Sequence, residues 1–201
     1  MEDLVEHVVA LEGRDLRLLA PRDRDALLDE EAFEHEEFLP YWAELWPSAI
    51  ALAQVVAGRE LAGARVLELG CGLGLPSVVA ALRGADVLAT DWSEDALSVC
   101  ELNAVRNGTV VQTTRLAWAD APPPGAPWDI VLGADLLYER RNVDQLLALL
   151  PALGSEVLLA DPGRPALNAF LDGAAASWEI EKQPAAELPR GAVYRLVLKQ
   201  R

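Results

Sequence analysis

The stretch Arg65–Trp92, "RVLELGCGLGLPSVVAALRGADVLATDW", decides the fold. An apolar run enters the glycines Gly70, Gly72 and Gly74, the stretch "PSVVAALRG" follows, and a second apolar run ends in Asp91. This is strand, turn, helix, strand: short runs apolar on both faces mark a parallel sheet covered on both sides, with crossover helices between strands. Glycines at such a turn let the backbone bend sharply and let a ligand approach main-chain N–H groups without Cβ obstruction. The spacing is G-x-G-x-G, because Leu75 stands where the G-x-G-x-x-G dinucleotide fingerprint wants its third glycine. A phosphate loop wants Gly-Lys-Ser/Thr, and no lysine stands in this stretch. Both phosphate readings weaken, which leaves two acidic positions to explain: Glu68 before the turn and Asp91 after the second strand.

The alternation continues outward. "SEDALSVCELNAVRNG" is a helix capped by Ser93, with Glu94 and Asp95 in its first turn and Asn107-Gly108 as its stop. A strand "TVVQTT" follows, then a proline-rich loop "DAPPPGAPW", a strand "DIVLGAD", a helix from about Asn142 to Leu150 and a strand "EVLLAD". The tail changes character: "SWEIEKQ" and "AVYRLVLKQ" suit two antiparallel strands at one edge of the sheet. Ahead of the core, "VEHVVALEGRDLRLLAP" reads as a small β-hairpin and "PYWAELWPSAIALAQVVAG" as a loop leading into a helix. The expectation is one α/β domain over 1–201, with an N-terminal extension over 1–40 and a core over 41–201.

Composition narrows the class. Hydrophobic residues make up 52% and charged residues 24% of 201 positions, as in a folded soluble protein. The apolar runs are too short to span a bilayer, and the acidic start "MEDLVEHVV" lacks the basic region of a secretory signal, so a cytoplasmic location is expected. A formal charge of −15 repels phosphate backbones and argues against nucleic-acid partners. The same field attracts cations, whether a sulfonium or a lysine-bearing protein, although surplus carboxylates also serve solubility alone. Cys71 and Cys100 make no disulfide framework, and Cys71 has no histidine or basic group nearby to activate it as a nucleophile. His7 and His35 lack partners at metal-ligand spacing, so no metal site is expected.

"VLELGCGLG" resembles motif I of the class I, seven-strand S-adenosylmethionine methyltransferases. The resemblance implies a Rossmann-like sheet of seven mostly parallel strands with helices on both faces and an antiparallel C-terminal edge hairpin, here preceded by the small N-terminal hairpin. It implies that S-adenosylmethionine lies against Gly70, Gly72 and Gly74, with Glu68 near its methionine end. Asp91 is then the acid that accepts both ribose hydroxyls, since an ionised carboxylate is acceptor-only, and Trp92 offers an apolar face to adenine. Four further segments are similar to one branch, the methyltransferase family 16 group, which includes protein-lysine methyltransferases. In "PYWAELWPSAIAL" the second tryptophan, Trp46, would close over the cofactor; "LAWAD" would place Trp118 near the adenine. "GADLLYE" resembles the group's Asp-x-x-Tyr/Phe signature, giving Asp135 and Tyr138 as catalytic residues beside Ala134 at the cofactor. "ADPGRP", Asp161–Pro165, is similar to a segment of the lysine methyltransferases acting on the electron-transfer flavoprotein β subunit, and reads as a loop shaping the rim of the site.

Blander roles stay open for these residues. Tryptophans are more often core than ligand contacts, Asp135 suits a cap, and Tyr138 suits the core. Position favours function, because ligands of open α/β sheets sit beyond the carboxyl ends of strands, where Asp135 and Tyr138 lie. The implied reaction is in-line methyl transfer to a protein lysine, with Asp135 orienting the incoming ammonium and with Tyr138 and the tryptophans excluding water. Two alternatives remain: a small amine or nitrogen heterocycle as acceptor, and a cofactor-binding interaction protein without transferase activity. A monomer with a lysine-bearing protein partner, and neither nucleic acid nor membrane, completes the expectation.

Overall fold

The computed structural model describes residues 3–11, 13–23 and 40–200. Strands β1 (Leu4–Leu11) and β2 (Arg14–Pro21) pair antiparallel as the expected hairpin. A 3-10 turn, Tyr41–Ala43, leads into helix α1 (Pro47–Ala57). The core then runs β3 (Arg65–Leu69), α2 (Leu75–Leu82), β4 (Asp86–Asp91), α3 (Glu94–Arg106), β5 (Gln112–Arg115), β6 (Ile130–Ala134), α4 (Arg141–Leu153), β7 (Glu156–Asp161), α5 (Leu167–Ala174), β8 (Trp178–Gln183) and β9 (Ala192–Leu198). His35 and the rest of 24–39 lie outside the described residues. Among the described residues, no helix is long and apolar enough to cross a membrane.

Seven strands form one sheet in the order β5-β4-β3-β6-β7-β9-β8. Pairings are parallel from β5 to β7, and β9 runs antiparallel to both its neighbours. The strands are apolar on both faces because both are covered. Along β7, Val157 and Leu159 join the cluster under α4 and α5, while Leu158 and Ala160 join the one under α1, α2 and α3. β6 alternates likewise, Ile130 and Leu132 against Val131. From β3 the chain winds outward first through β4 and β5, then returns to lay down β6 on the other side. That reversal opens a crevice at the carboxyl ends of β3, β4 and β6, where such sheets hold ligands.

Helix α3 begins as its sequence predicts, with Ala96 N–H donating to the Ser93 hydroxyl at 3.4 Å and Glu94 and Asp95 in the first turn. The expected strand at "TVVQTT" is shorter than its sequence, starting only at Gln112. Thr109 N–H is spent closing the end of α3 on Ala104 O, at 3.0 Å, and Val110 is left 77% exposed. The hairpin docks on α3 through two asparagines. Asn103 Oδ1 accepts from Leu19 N–H at 2.7 Å and its Nδ2 donates to Leu19 O at 3.0 Å; Asn107 treats the Arg17 N–H and C=O in the same way, at 3.0 and 2.9 Å.

Candidate functional site

The crevice is a cavity of about 500 Å³ lined from every element that reaches it. β3 ends in Glu68 and the glycine turn, β4 in Asp91 and Trp92, and β6 in Ala134, Asp135 and Tyr138; Trp118 follows β5, and Tyr41 and Trp46 precede α1. All eleven residues expected from sequence at the site therefore meet around one space: Trp46, Glu68, Gly70, Gly72, Gly74, Asp91, Trp92, Trp118, Ala134, Asp135 and Tyr138.

Gly70, Gly72 and Gly74 have φ of 60°, 50° and 80°, a left-handed path closed to most side chains. At Gly74 space decides as well, since a Cβ there would stand 2.4 Å from Cys100 Sγ. The turn is held from two sides. Asn103, fully buried in α3, donates to Leu73 O at 2.9 Å, and Asp91 Oδ2 accepts from Gly72 N–H at 3.0 Å. The other oxygen of Asp91 accepts from Ser93 N–H at 3.1 Å. Burial pushes the Asp91 carboxyl above the usual range, opposed by these backbone donors.

Glu68 is 1% exposed and bonds through one oxygen only: Oε2 accepts from the backbone N–H of Ser77 at 2.9 Å and from the Ser77 hydroxyl. Burial pushes its carboxyl up to about 8 against those two hydrogen bonds, and the charge of Asp91 adds to the rise. Ser77 thus ties the first turn of α2 to the end of β3. Sequence reasoning missed it, although its place three residues past the last glycine, with its N–H among the helix-start donors lacking an intrahelical partner, is a readable signal.

Aromatic rings wall the far end. Tyr138 packs 5.3 Å from Tyr41 and 6.5 Å from Trp118, centroid to centroid, and Trp46 Nε1 donates to Tyr41 O at 2.8 Å. Burial of its phenol pushes Tyr138 up to about 12, with Glu139 and Asp91 adding, so near neutral pH the hydroxyl keeps its proton.

Asp135 departs from expectation. The sequence reading has its carboxylate free to meet an ammonium, but Oδ1 and Oδ2 accept from Arg164 Nε and Nη2 at 2.7 and 3.0 Å. Asp135 is also the only non-glycine among the described residues with positive φ, 60°, held by its N–H on Ala160 O at 2.8 Å and by Asn142 Nδ2 on Leu136 O at 2.8 Å. Arg164 belongs to the "ADPGRP" loop, so that loop supplies a charged lining residue as well as a rim. The loop is fixed by Asp161, whose Oδ1 accepts from the N–H groups of Gly163 and Arg164 at 2.7 and 2.8 Å. Among the described residues, no group of three His, Cys, Asp or Glu is arranged to hold a metal ion.

A family model described as lysine methyltransferase matches residues 36–160. The electron transfer flavoprotein beta subunit lysine methyltransferase of Danio rerio is 31% identical over 159 residues, covering 74% of this chain and 59% of the relative. Histone-arginine methyltransferase METTL23 of Xenopus laevis is 36% identical over 53% of this chain and 49% of its own length. The chain spans about half to three-fifths of the length of these curated relatives. Among solved structures, magnesium protoporphyrin IX methyltransferase from Synechocystis PCC 6803 with bound SAM shares the fold, with a TM-score of 0.59, 19% identity, and 74% of this chain and 76% of that one covered.

Proposed function

This chain belongs to the lysine methyltransferase family, and from that premise we propose that it is an S-adenosylmethionine-dependent N-methyltransferase acting on a lysine side chain of a protein. The observation that carries the reading is the convergence, on one cavity of about 500 Å³, of a ribose-type acid, a glycine turn and an aromatic-walled acid. When bound, S-adenosylmethionine would supply a sulfonium methyl group for in-line transfer to a neutral amine, the N–C bond forming as the C–S bond breaks and the neutral thioether of S-adenosylhomocysteine leaves.

The residues suit that group. Asp91, whose Oδ2 accepts from Gly72 N–H and Oδ1 from Ser93 N–H, keeps acceptor capacity on its carboxylate for a ribose hydroxyl. Glu68 Oε1, with no donor of its own, is the oxygen available to the methionine end. At Gly70 a Cβ would stand 3.0 Å from Leu136 Cδ2 and 3.4 Å from the Trp118 ring, so its absence keeps the space between them open. Trp92, Trp118, Trp46 and Ala134 give apolar surface to the cofactor and exclude water from the reacting atoms.

Tyr138, protonated near neutral pH, is no general base; it closes the acceptor end and offers its hydroxyl as a hydrogen-bond partner. Asp135 receives the acceptor's N–H, and the proton of the lysine, whose free pKa is about 10.4, leaves to water as the amine enters between Asp135 and the aromatic rings. The reading gives no step to a metal. It makes the chain a cytoplasmic monomer folded as one domain.

The test is incubation of the pure protein with methyl-labelled S-adenosylmethionine and a lysate of its own host. One or a few protein bands should carry label, with methyllysine on mass analysis. Salt should slow the labelling, because the reach of the acidic field shrinks to about 3 Å at 1 M. Methylarginine in place of methyllysine, or label confined to small molecules, overturns the acceptor; no label despite cofactor binding overturns the activity.

A further inference from the structure

Asp135 and Arg164 form a fork-on-carboxylate pair in the wall of the cavity. Nε stands 2.7 Å from Oδ1 and Nη2 3.0 Å from Oδ2, with the Asp135 side chain 6% exposed and that of Arg164 33%. Paired N–H donors on a carboxylate are the strong, geometrically specific form of ion pair. The guanidinium also lies 5.8 Å from the centroid of the Trp46 ring, so it is fixed by an aromatic face as well as an acid. Asp135 holds Arg164 more firmly protonated than an ordinary arginine, with Asp161 and Tyr41 contributing. Glu139, Arg141 and Asp91 act on the Tyr138 phenol, and Glu44 also lines the cavity.

We propose that Arg164 is a specificity-determining residue: by pairing with Asp135 it keeps that carboxylate from standing as a bare charge at the acceptor end, so that the target nitrogen is taken as an uncharged amine and an ammonium is not retained. This rests on the reading of the cavity as an S-adenosylmethionine site with its acceptor at Asp135. A lone carboxylate favours the charged form of a neighbouring amine, and an ammonium has no lone pair with which to attack. Pairing that charge removes the preference, while each Asp135 oxygen keeps a second lone pair to accept from an amine N–H.

The test needs no acceptor. It uses the full chain and compares affinities by calorimetry for two ligands: S-adenosylhomocysteine, neutral at sulfur, and sinefungin, in which an ammonium-bearing carbon replaces the methylated sulfur and turns a positive charge toward the acceptor end. Arg164→Gln should shift the ratio of the two affinities toward sinefungin by about tenfold, the size of one partly screened charge contact. Asp135→Asn, which leaves the guanidinium uncompensated, should shift the ratio the other way. The double variant should return it to the wild-type value, and Arg164→Lys should stay within about threefold of it, because charge rather than fork geometry sets the ratio. Equal losses for both ligands in the single variants, with the ratio unmoved, mean a merely structural pair and overturn the proposal. Failure of the wild-type chain to bind either ligand overturns instead the cofactor reading beneath it, and is seen before any substitution is made.

Discussion

Replacing Glu68 by glutamine should change how stability depends on pH. The wild-type carboxyl is buried at the end of β3, takes both Ser77 donors on one oxygen, and is pushed up to about 8 from an ordinary 4.5. Below about pH 4.5 the proton sits on Glu68 in folded and unfolded chains alike. As pH rises past that value the unfolded chain releases it while the fold keeps it, so stability falls until about pH 8, where the folded carboxyl ionises too. Between pH 5 and 8 the loss from this group is about 3 kcal/mol. Glutamine keeps an oxygen for both Ser77 donors, turns its NH₂ to the cavity and does not titrate. Urea denaturation at fixed pH across that range should therefore show the variant gaining on the wild type by about 3 kcal/mol. Asp161, also raised by burial but not coupled to Glu68, tilts both proteins alike and drops out of the difference. Parallel pH profiles for the two proteins would refute the reasoning.

Two further substitutions check other parts of the site. Asp91→Ala should weaken S-adenosylhomocysteine binding, measured by calorimetry, by about 1.5 to 3 kcal/mol, the range for charge-assisted hydrogen bonds; unchanged affinity sinks the ribose assignment. Asn103→Ala removes three hydrogen bonds at 2.7–3.0 Å that join β2 and the glycine turn to α3, and should cost about 2 to 4 kcal/mol in chemical denaturation. A cost near zero there means that the hairpin is held by its apolar face alone.

What the sequence disclosed and what it withheld divide along a physical line. The glycine turn, Asp91 at a strand end, the Ser93 cap and the doubly apolar strands are local patterns, each legible within a few residues because backbone geometry demands them there. Glu68, Asp135 and Tyr138 were legible as positions, since the ends of parallel strands converge on the same edge. Their partners were not. Arg164 meets Asp135 from 29 positions away, and Asn103 meets Leu73 from 30 and Leu19 from 84. No spacing rule spans a crossover, so the sequence showed an acid at the acceptor end without showing that a cation already occupied it. The shortness of β5 has a related cause: Thr109 to Val111 have strand-like side chains, but the first N–H of that run is needed by the preceding helix.

The docking of the hairpin on α3 is a matching of two unequal rulers. Asn103 and Asn107, one step of four along a helix, lie about 6 Å apart along its axis. Leu19 and Arg17, one step of two along a strand, lie about 7 Å apart. A single interval absorbs the difference of about an ångström, but a second would double it, so two asparagines are as many as this kind of contact takes before donor and acceptor part. The same arithmetic forbids sliding. Moving β2 by one residue would carry Leu18, fully buried, to the outer side and offer the asparagines backbone groups that point toward β1. Two amide side chains thereby fix the position of eight strand residues, and an insertion of a single residue within β2 should undo the docking where a longer surface loop would pass unnoticed.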